Sequence, residues 1–308
     1  RQRQMCIRDS LGGGPAGITA AIYASRARLN TIWIDKNFAP GGQVTATYAV
    51  DNYPGMPGIS GMDLGEAFGA HARKLGLEPQ REKILSLENI SGEIKTIRTK
   101  KHEYQAKALI LAFGAEHRKL DIPGEDDLSG LGVSYCATCD GAFFKDKNVA
   151  VVGGGNTALD DALVLSFTSK KVYLIHRSDA FSGEKRLLEK LQEHDNVVFV
   201  LNSEVTSING SERLESLDIR NKVSGEEQTL DVDAVFIAIG HVPDNKAFAP
   251  LVELDAYGYI KTDENCATSC PGIYAAGDGR VKKVRQLTTA AADGTEAALA
   301  ACDYIDLL

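Results

Sequence analysis

The sequence predicts an α/β protein that contains two copies of a strand–turn–helix–strand unit. The first copy has a G-x-G-x-x-G turn at Gly12–Gly17, and the second has a G-x-G-x-x-A turn at Gly153–Ala158. Glycine contributes 30 of the 308 residues, which exceeds the usual share of about 7%. The excess indicates tight turns or close backbone approaches, and a chain of this length can form about two domains.

In each copy, a helical stretch and then a buried strand follow the turn. Small residues continue from the first turn to Leu29, and Thr31–Asp35 reads as a strand that ends in an acid. In dinucleotide-binding folds, such glycines let a pyrophosphate approach, and such an acid binds a ribose hydroxyl. Asn148–Val152 and Lys171–His176 read as the strands of the second copy. Two such units suggest electron transfer between two cofactors, typically a flavin and a nicotinamide.

Other apolar segments read as strands that end at glycine, where the backbone can pass close to a ligand. An alanine-rich stretch from about Gln286 to Ile305 reads as a helix. The strands are Ala108–Ala112 followed by Gly114, Ala234–Ile239 followed by Gly240, and Gly272–Asp278, which ends in Gly277 and Asp278.

The first ten residues, RQRQMCIRDS, do not resemble the start of such a unit. They contain neither an apolar region nor a small-residue cleavage site, so they predict neither a signal peptide nor a transit helix. We interpret residues 1–10 as a non-native or truncated terminus and exclude them from the predicted fold. The strand expected before Gly12 would then be missing beneath the first turn.

The charge balance and the cysteines exclude several classes of protein. Lys and Arg number 34 and Asp and Glu number 42, so the formal charge of −8 argues against a nucleic-acid binder or a polybasic membrane anchor. No run of about 18 apolar residues is present to span a bilayer. Six cysteines are too few for a disulfide-stapled secreted fold, so we expect a cytoplasmic protein.

Cys136 and Cys139 form a C-x-x-C pair in the segment CATCDG. Two thiols at this spacing can cycle between dithiol and disulfide, and the neighbouring Asp140 can move the proton when a thiolate attacks or leaves. The alternative is half of a zinc site, which needs about four ligands. The other close pair, Cys266 and Cys270, has a different spacing and no histidine nearby, so no metal is predicted.

The two glycine turns, with CATCDG between them, resemble the motifs of the low-molecular-weight thioredoxin reductases of bacteria. These enzymes are FAD-dependent class II pyridine nucleotide-disulfide oxidoreductases. The resemblance covers residues 11 to 305, and its most specific part is CATCDG between the two nucleotide motifs. Larger disulfide reductases carry the redox pair near the N-terminal motif instead. The motifs in family order are GGGPAG at Gly12–Gly17, GGQ at Gly41–Gln43, DNYPG at Asp51–Gly55, CATCDG at Cys136–Gly141, GGGNTA at Gly153–Ala158, AIGHVP at Ala238–Pro243, AAGD at Ala275–Asp278 and RQL at Arg285–Leu287.

The resemblance implies two Rossmann-like domains of the three-layer ββα type, the second inserted into the first. Residues 11–115 and 246–308 would form a split FAD-binding domain, and residues 116–245 would form an NAD(P)H-binding domain that bears the redox pair. The cofactor-binding residues implied in the first domain are Gly12, Gly14, Pro15, Gly17, Asp35, Gly42, Gln43, Asn52, Gly114, Gly277, Asp278, Arg285, Gln286 and Leu287.

The resemblance also implies the reaction. Hydride would pass from NAD(P)H to FAD and electrons to the Cys136–Cys139 disulfide. Cys139 would face the flavin, Cys136 would attack the disulfide of thioredoxin, and Asp140 would act as acid–base. The chain would be a homodimer whose domains rotate on hinges near Glu116–Lys119 and Pro243–Ala247. The residues implied at the nicotinamide site are Gly153, Gly155, Asn156, Thr157, His176, Arg177 and Gly240.

The chain departs from the family pattern where the nucleotide's 2′-phosphate would bind. NADPH-selective members carry H-R-R-x-x-x-R after the second strand of the inserted domain, whereas this chain has Ser178 and Ser182 at two of the three arginine positions. Arginine is the best partner for a phosphate, and Asp179 would repel one that it faced. We therefore expect NADPH or NADH as the donor, with a weakened preference for NADPH. A further departure is Phe113, where the family usually has threonine.

Three alternatives remain open. The weakened arginine site favours a reductase of the same fold that is fed by another donor, such as ferredoxin, although the intact turn Gly153–Ala158 argues against it. A dithiol oxidase that passes electrons to oxygen is a second alternative. The third is a nucleotide-binding protein without turnover, and the retained Cys136, Cys139 and Asp140 argue against that one.

Overall fold

A computed structural model describes residues 3–308 except 48, 91, 244, 246 and 247, and for residues 3–11 and 46 it describes the backbone alone. The chain divides into two units, and each is described by itself. Unit 1 consists of Arg1–Glu116 and Val242–Leu308, and unit 2 is the segment His117–His241. Three residues of the second predicted hinge, 244, 246 and 247, lie outside the described residues.

The chain enters and leaves unit 2 through two short strands, β7 (Ala115–His117) and β16 (His241–Pro243), which pair with each other. The elements up to the first of these strands are β1 Arg3–Leu11, α1 Pro15–Arg26, β2 Thr31–Asp35, α2 Gly61–Lys74, β3 Pro79–Arg81, β4 Ile84–Glu88, β5 Lys95–Thr99, β6 Glu103–Leu111 and β7 Ala115–His117.

Unit 2 alternates strands and helices and then forms an antiparallel meander, before the chain returns to unit 1. The elements in order are β8 Val133–Ser134, α3 Ala137–Asp140, β9 Asn148–Val152, α4 Asn156–Ser166, β10 Lys171–Ile175, α5 Lys185–Gln192, β11 Val197–Val200, β12 Ser203–Gly210, β13 Leu214–Asn221, β14 Glu227–Asp231, β15 Ala234–Ile237, β16 His241–Pro243, β17 Ile273–Ala275 and α6 Leu287–Asp306.

The sheet of unit 1 has the order β3-β2-β1-β6-β5-β4, and β17 also pairs with β6. Strands β3, β2, β1, β6 and β17 pair with one another in parallel, whereas β5 is antiparallel to β6 and β4 is antiparallel to β5. Helices α1 and α6 pack together through small residues. A Cβ on Gly294 of α6 would lie 2.2 Å from the carbonyl oxygen of Ala16, so the two helices can approach this closely only at a glycine.

The expectation that residues 1–10 take no part in the fold is wrong for Arg3–Ser10, which belong to β1. This strand is parallel to both of its neighbours and pairs Arg8–Leu11 with Thr31–Ile34 of β2 and with Ala108–Leu111 of β6. Backbone hydrogen bonds of a ladder require no particular side chain, so an unusual sequence can still supply the central strand. Strand β1 therefore leads directly into the first glycine turn.

Unit 2 has a five-stranded parallel sheet with the order β11-β10-β9-β15-β8, and a separate three-stranded antiparallel sheet formed by β12, β13 and β14. Strands β9, β10 and β15 are buried and rich in Val and Ile, as is typical of parallel sheets covered on both faces. The mixed sheet of unit 1 and the parallel sheet of unit 2 confirm the predicted α/β class with two Rossmann-like units. In the part of the chain that the structure describes, no helix is both long and apolar enough to cross a membrane.

Candidate active site and cofactor-binding cavity

The redox pair lies at the start of a single helical turn in unit 2. Cys136 and Cys139 are joined by a disulfide, and their Cα atoms are 5.3 Å apart, within the usual range of about 4.4–6.8 Å. Helix α3 begins directly after Cys136, so the C-x-x-C spacing places the second cysteine one turn later. Thr138 Oγ1 lies 3.4 Å from Cys136 Sγ. The local backbone thus brings the two sulfur atoms together without help from a distant element.

A buried serine connects the acid of this motif to the first cysteine. Ser134 Oγ donates a hydrogen bond to Asp140 Oδ2 at 2.6 Å and accepts the backbone N–H of Cys136 at 3.1 Å. Burial raises the pKa of Asp140, and the bond from Ser134 partly opposes that rise. A carboxyl group with a raised pKa holds its proton closer to neutral pH, which suits it to proton transfer at a neighbouring sulfur.

Sequence reasoning did not identify Ser134, because its role depends on a contact made by folding. It ends strand β8, six residues before Asp140 and two residues before Cys136. The available signal was a small hydroxyl residue directly before the C-x-x-C pair, which is weak because serine is common in turns.

Unit 1 contains a cavity of about 500 Å³ at the first glycine turn. Its volume lies in the range of small-molecule and cofactor sites, about 300–1,000 Å³. The structure brings together most of the residues that were predicted for this domain. Those that line the cavity are Gly12, Gly14, Pro15, Asp35, Gly42, Gln43, Gly114, Gly277, Asp278, Gln286 and Leu287.

The glycine turn and the acid of β2 fit closely together. A Cβ on Gly13 would lie 1.7 Å from Asp35 Oδ2, so a larger residue at this position would displace the carboxylate. Asp35 Oδ1 accepts hydrogen bonds from the backbone N–H of Asn37 at 3.1 Å and from its side-chain amide at 3.3 Å. Burial raises the pKa of Asp35, and the backbone bond from Asn37 opposes the rise. The carboxylate is therefore fixed beside the turn, as a ribose-binding acid would be.

Two features of the cavity fit a dinucleotide that carries hydroxyl groups. Asp278 Oδ1 is buried and has no hydrogen-bond partner, although buried acceptors are normally paired. Gly14, at the helix N-terminus, has no atom within 4 Å of the position that a Cβ would occupy. The turn thus leaves space where a phosphate can approach, and the orphaned oxygen is an acceptor for a ligand hydroxyl.

Three of the predicted residues lie near the cavity without lining it. A Cβ on Gly17 would lie 2.0 Å from the carbonyl oxygen of Gly12, so Gly17 permits close packing beneath the turn. Asn52 donates to Gln286 Oε1 at 3.1 Å. The guanidinium of Arg285 lies over the ring of Tyr259 at 4.3 Å. Gly17 and Asn52 thus contact two residues that line the cavity, Gly12 and Gln286.

Sequence reasoning missed part of the cavity wall. The rings of Phe113 and Phe248 are stacked, with centroids 4.8 Å apart and an interplanar angle of 13°. Both rings line the cavity, together with Glu82–Leu85. Phe113 was identified only as a departure from a family pattern, and Phe248 carried no signal because it follows a loop with no recognisable motif.

In unit 2, the second glycine turn is tied to the loop that follows β10. The backbone N–H and the Oγ of Ser182 both donate to the carbonyl oxygen of Gly154, at 2.8 Å and 3.1 Å. A Cβ on Gly154 would lie 2.1 Å from the ring of His176, which stacks on Phe181 with centroids 5.2 Å apart. Burial lowers the pKa of His176. The ring of His176 therefore lies directly against the turn.

The remaining residues predicted for the nicotinamide site are distributed around this turn. Asn156 Oδ1 accepts the backbone N–H of Glu184 at 2.7 Å, and Thr157 is exposed. Arg177 is exposed, as are Ser178 and Asp179. Two further predicted glycines, Gly153 and Gly240, have positive φ angles of +155° and +105°. The carbonyl oxygen of Gly240 accepts the backbone N–H of Arg118.

Comparison with known proteins gives a consistent result. The model of the pyridine nucleotide-disulphide oxidoreductase family matches residues 11–294. A thioredoxin reductase of Listeria innocua is 44% identical over 300 residues, 97% of this chain and 93% of the relative. A 34.2 kDa protein in the rubredoxin operon of Clostridium pasteurianum is 40% identical over 295 residues, 96% of each chain. The crystal structure of a thioredoxin reductase from Streptococcus pyogenes matches with a TM-score of 0.94 and 38% identity over 99% of both chains.

Proposed function

The chain belongs to the pyridine nucleotide-disulphide oxidoreductase family, and on that premise we propose that it is a thioredoxin-disulfide reductase. The overall reaction oxidises NAD(P)H and reduces the disulfide of a thioredoxin. The observation that carries the proposal is the Cys136–Cys139 disulfide with Asp140 and Ser134 beside it. A binding scaffold has no need of such a group, whereas a disulfide reductase requires a thiol pair and a proton carrier.

We assign the cavity of unit 1 to FAD. Asp278 Oδ1 would accept a hydroxyl of the ribityl–phosphate portion, and the turn Gly12–Gly17 would hold the pyrophosphate at the N-terminus of α1. Asp35 would bind the adenosine ribose. When bound, FAD accepts a hydride from the pyridine nucleotide and delivers two electrons to the disulfide.

The residues of unit 2 would carry out the exchange with thioredoxin. The Cys136 thiolate attacks the thioredoxin disulfide and forms a mixed disulfide, which releases one thioredoxin thiolate. The Cys139 thiolate then attacks Cys136 Sγ, which re-forms the Cys136–Cys139 disulfide and releases the second thiolate. Asp140, whose pKa is raised by burial, donates a proton to the leaving sulfur, and Ser134 holds its carboxyl in place.

We assign the second glycine turn to the pyridine nucleotide, with Gly153, Gly155, Asn156 and Thr157 at its pyrophosphate. Ser178 and Ser182 stand where arginines would bind a 2′-phosphate, and Ser182 is hydrogen bonded to the turn itself. The loop thus offers Arg177 as its one guanidinium for a phosphate. This arrangement supports NADH as a donor comparable to NADPH.

The test is reduction of oxidised thioredoxin by the purified protein in the presence of NADH or NADPH. We expect a yellow protein whose flavin absorbance is bleached by the nucleotide and whose thioredoxin reduction is lost in Cys136→Ser and in Cys139→Ser. Peroxide formation without thioredoxin reduction would instead identify a dithiol oxidase. A flavoprotein that is bleached by reduced ferredoxin but by neither nucleotide would identify the ferredoxin-fed reductase.

A further inference from the structure

A second carboxylate lies next to the turn that carries Asp278. Asp293 of α6 is buried, with 9% of its side chain exposed. Its Oδ2 accepts the backbone N–H of Gly277 at 2.9 Å, so it is attached to the residue directly before Asp278. Asp293 therefore contacts the turn but is not among the residues that line the cavity.

Two cations bind the carboxylate of Asp293. Arg280 donates from Nε to Oδ2 at 2.9 Å and from Nη2 to Oδ1 at 2.8 Å, in a two-point contact. Lys282 donates from Nζ to Oδ2 at 2.8 Å, and 7% of its side chain is exposed. Burial opposes the ionisation of Asp293, but the bonds from the two cations outweigh it and lower its pKa. The carboxylate is therefore charged at neutral pH and saturated with donors.

Asp278 is a second acceptor near one of these cations, Lys282. Its Oδ1 is buried without a hydrogen-bond partner. Lys282 Nζ and the backbone N–H of Gly277 both donate to Asp293 Oδ2, which places the ammonium beside the residue that precedes Asp278. Burial raises the pKa of Asp278, and the charges of Lys282 and Arg285 lower it. A buried acceptor without a partner attracts a nearby cation strongly, because the local dielectric is low. In the structure, Lys282 is instead bound by the carboxylate of Asp293.

We propose that Asp293 is a positioning residue for the cofactor, which holds Lys282 away from Asp278 and so keeps Asp278 Oδ1 free to accept a hydroxyl of the bound flavin. The inference rests on the proposed function, because it takes the cavity of unit 1 as the FAD site. In this proposal Asp293 does not contact the flavin. It contacts the turn and the two cations, and it affects FAD binding through Asp278, which contacts the flavin.

The experiment is titration of the deflavinated protein with FAD, followed by the change in flavin fluorescence. Asp293→Asn keeps the size of the side chain and removes its charge, which releases Lys282 to pair with Asp278. We expect the dissociation constant for FAD to rise about tenfold or more, since a charge-assisted bond then competes with the ligand. Lys283→Met, which removes an exposed lysine next to Lys282, is the matched control and leaves the constant unchanged.

The second variant distinguishes positioning from simple structural support. In Asp293→Asn/Lys282→Met no ammonium remains to occupy Asp278, so we expect the dissociation constant to return to within about threefold of wild type. A structural role for Asp293 predicts that the double variant binds FAD as weakly as Asp293→Asn, or more weakly. That result would overturn the proposal, as would an unchanged constant in Asp293→Asn.

A third variant keeps the proposal testable if Asp293→Asn does not fold. Lys282→Met alone leaves FAD binding within about threefold of wild type, because Asp293 already holds this lysine away from the ligand. A tenfold loss would mean that Lys282 itself binds FAD, which contradicts the proposal.

FAD binding by the wild-type protein distinguishes failure of the proposed function from failure of the proposed role of Asp293. If deflavinated wild-type protein does not bind FAD, the proposed function fails and the role of Asp293 fails with it. If it binds FAD and Asp278→Asn weakens that binding, while Asp293→Asn is not rescued by Lys282→Met, only the role of Asp293 is overturned.

Discussion

Ser134 Oγ donates a hydrogen bond of 2.6 Å to Asp140 Oδ2. The same oxygen accepts the N–H of Cys136, so one buried hydroxyl joins the carboxyl group to the redox pair. Because this bond stabilises the ionised carboxylate, it lowers the pKa of Asp140 against the larger effect of burial, which raises it. The pKa of Asp140 is therefore set by a balance between burial and this bond, which a single substitution can change.

Removal of the hydroxyl in Ser134→Ala raises the pKa of Asp140 further. In the proposed mechanism Asp140 acts as an acid in its protonated form, so the rate of thioredoxin reduction falls as pH rises through this pKa. We expect the alkaline limb of the pH profile of kcat/KM to move upward by about one unit, since a bond to a charged group contributes about 1.5–3 kcal/mol and one unit corresponds to about 1.4 kcal/mol. The exposed Ser224→Ala is the control, and a limb that does not move would contradict the assignment.

Asp140→Asn removes the proposed proton carrier and keeps the size of the side chain. General acid catalysis contributes about 100-fold or more, so we expect kcat/KM for thioredoxin to fall by at least that factor at neutral pH. The variant also loses the alkaline limb described above. Stopped-flow measurement of thioredoxin reduction checks both effects, and a rate within about threefold of wild type would exclude Asp140 from this role.

The preference for NADPH or NADH tests whether Ser178 and Ser182, in the loop after β10, weaken binding of the 2′-phosphate. Ser178→Arg/Ser182→Arg supplies two guanidinium groups to a 2′-phosphate, and the backbone bond from residue 182 to Gly154 is retained. We expect the ratio of kcat/KM for NADPH over NADH to rise about 10- to 100-fold. Ser178→Gln/Ser182→Gln adds similar bulk without charge and leaves the ratio near that of wild type. A wild-type protein that already prefers NADPH by such a factor would contradict the argument.

The stacked pair of Phe113 and Phe248 tests packing at the cavity wall. Phe113→Thr removes most of the ring and the aromatic contact, so we expect the free energy of unfolding of the deflavinated protein to fall by about 2 kcal/mol. Phe113→Leu keeps most of the volume and loses only the stacking, so its effect is about half as large. Urea unfolding of the three proteins measures the difference, and equal stability would show that the stack contributes nothing.

Asp161 of α4 gives a pH dependence of stability. Burial, with a smaller effect from Asp160, raises its pKa from 3.8 to about 7. The folded state thus retains a proton that the unfolded state loses between these values, so stability from this group falls as pH rises from about 4 to 7. Asp161→Asn removes the penalty, and we expect it to stabilise the protein by as much as about 4 kcal/mol at pH 8 but not at pH 4.

Thermal unfolding of wild type and Asp161→Asn at these two pH values measures the effect. Asp160 is exposed, so Asp160→Asn is the matched control with a smaller gain at pH 8. A gain from Asp161→Asn of the same size at both pH values would show that packing, rather than ionisation, is responsible.

Local patterns predicted much of the fold because their signals lie within a few residues. Thr31–Asp35 and Asn148–Val152 form strands with the predicted bounds, since buried β-branched runs between turn signals have few alternatives. Arg3–Leu11 could not be predicted as a strand from its polar sequence, because it is held by backbone pairing to β2 and β6, which are distant in the sequence.

In the candidate site, too, the residues within local motifs were predicted, whereas those that act through contacts with distant elements were not. Cys136, Asp140 and Asp278 lie in motifs whose spacing is visible in the sequence. Ser134 and Asp293 were not identified, because their importance comes from contacts with other elements: Asp293 reaches Gly277 from a helix 16 residues further along the chain. Motifs indicate the groups that contact a ligand, whereas the residues that position those groups become apparent only in three dimensions.

The most direct test of the account is the stoichiometry of thiol formation. The purified protein is mixed with a limiting amount of NADH or NADPH and an excess of oxidised thioredoxin in the absence of oxygen. We expect two thioredoxin thiols for each nucleotide oxidised by the wild-type protein, and none with Cys136→Ser, because the electron pair leaves only through the Cys136–Cys139 disulfide. Nucleotide oxidation without thioredoxin thiols, or equal thiol formation by Cys136→Ser, would contradict it.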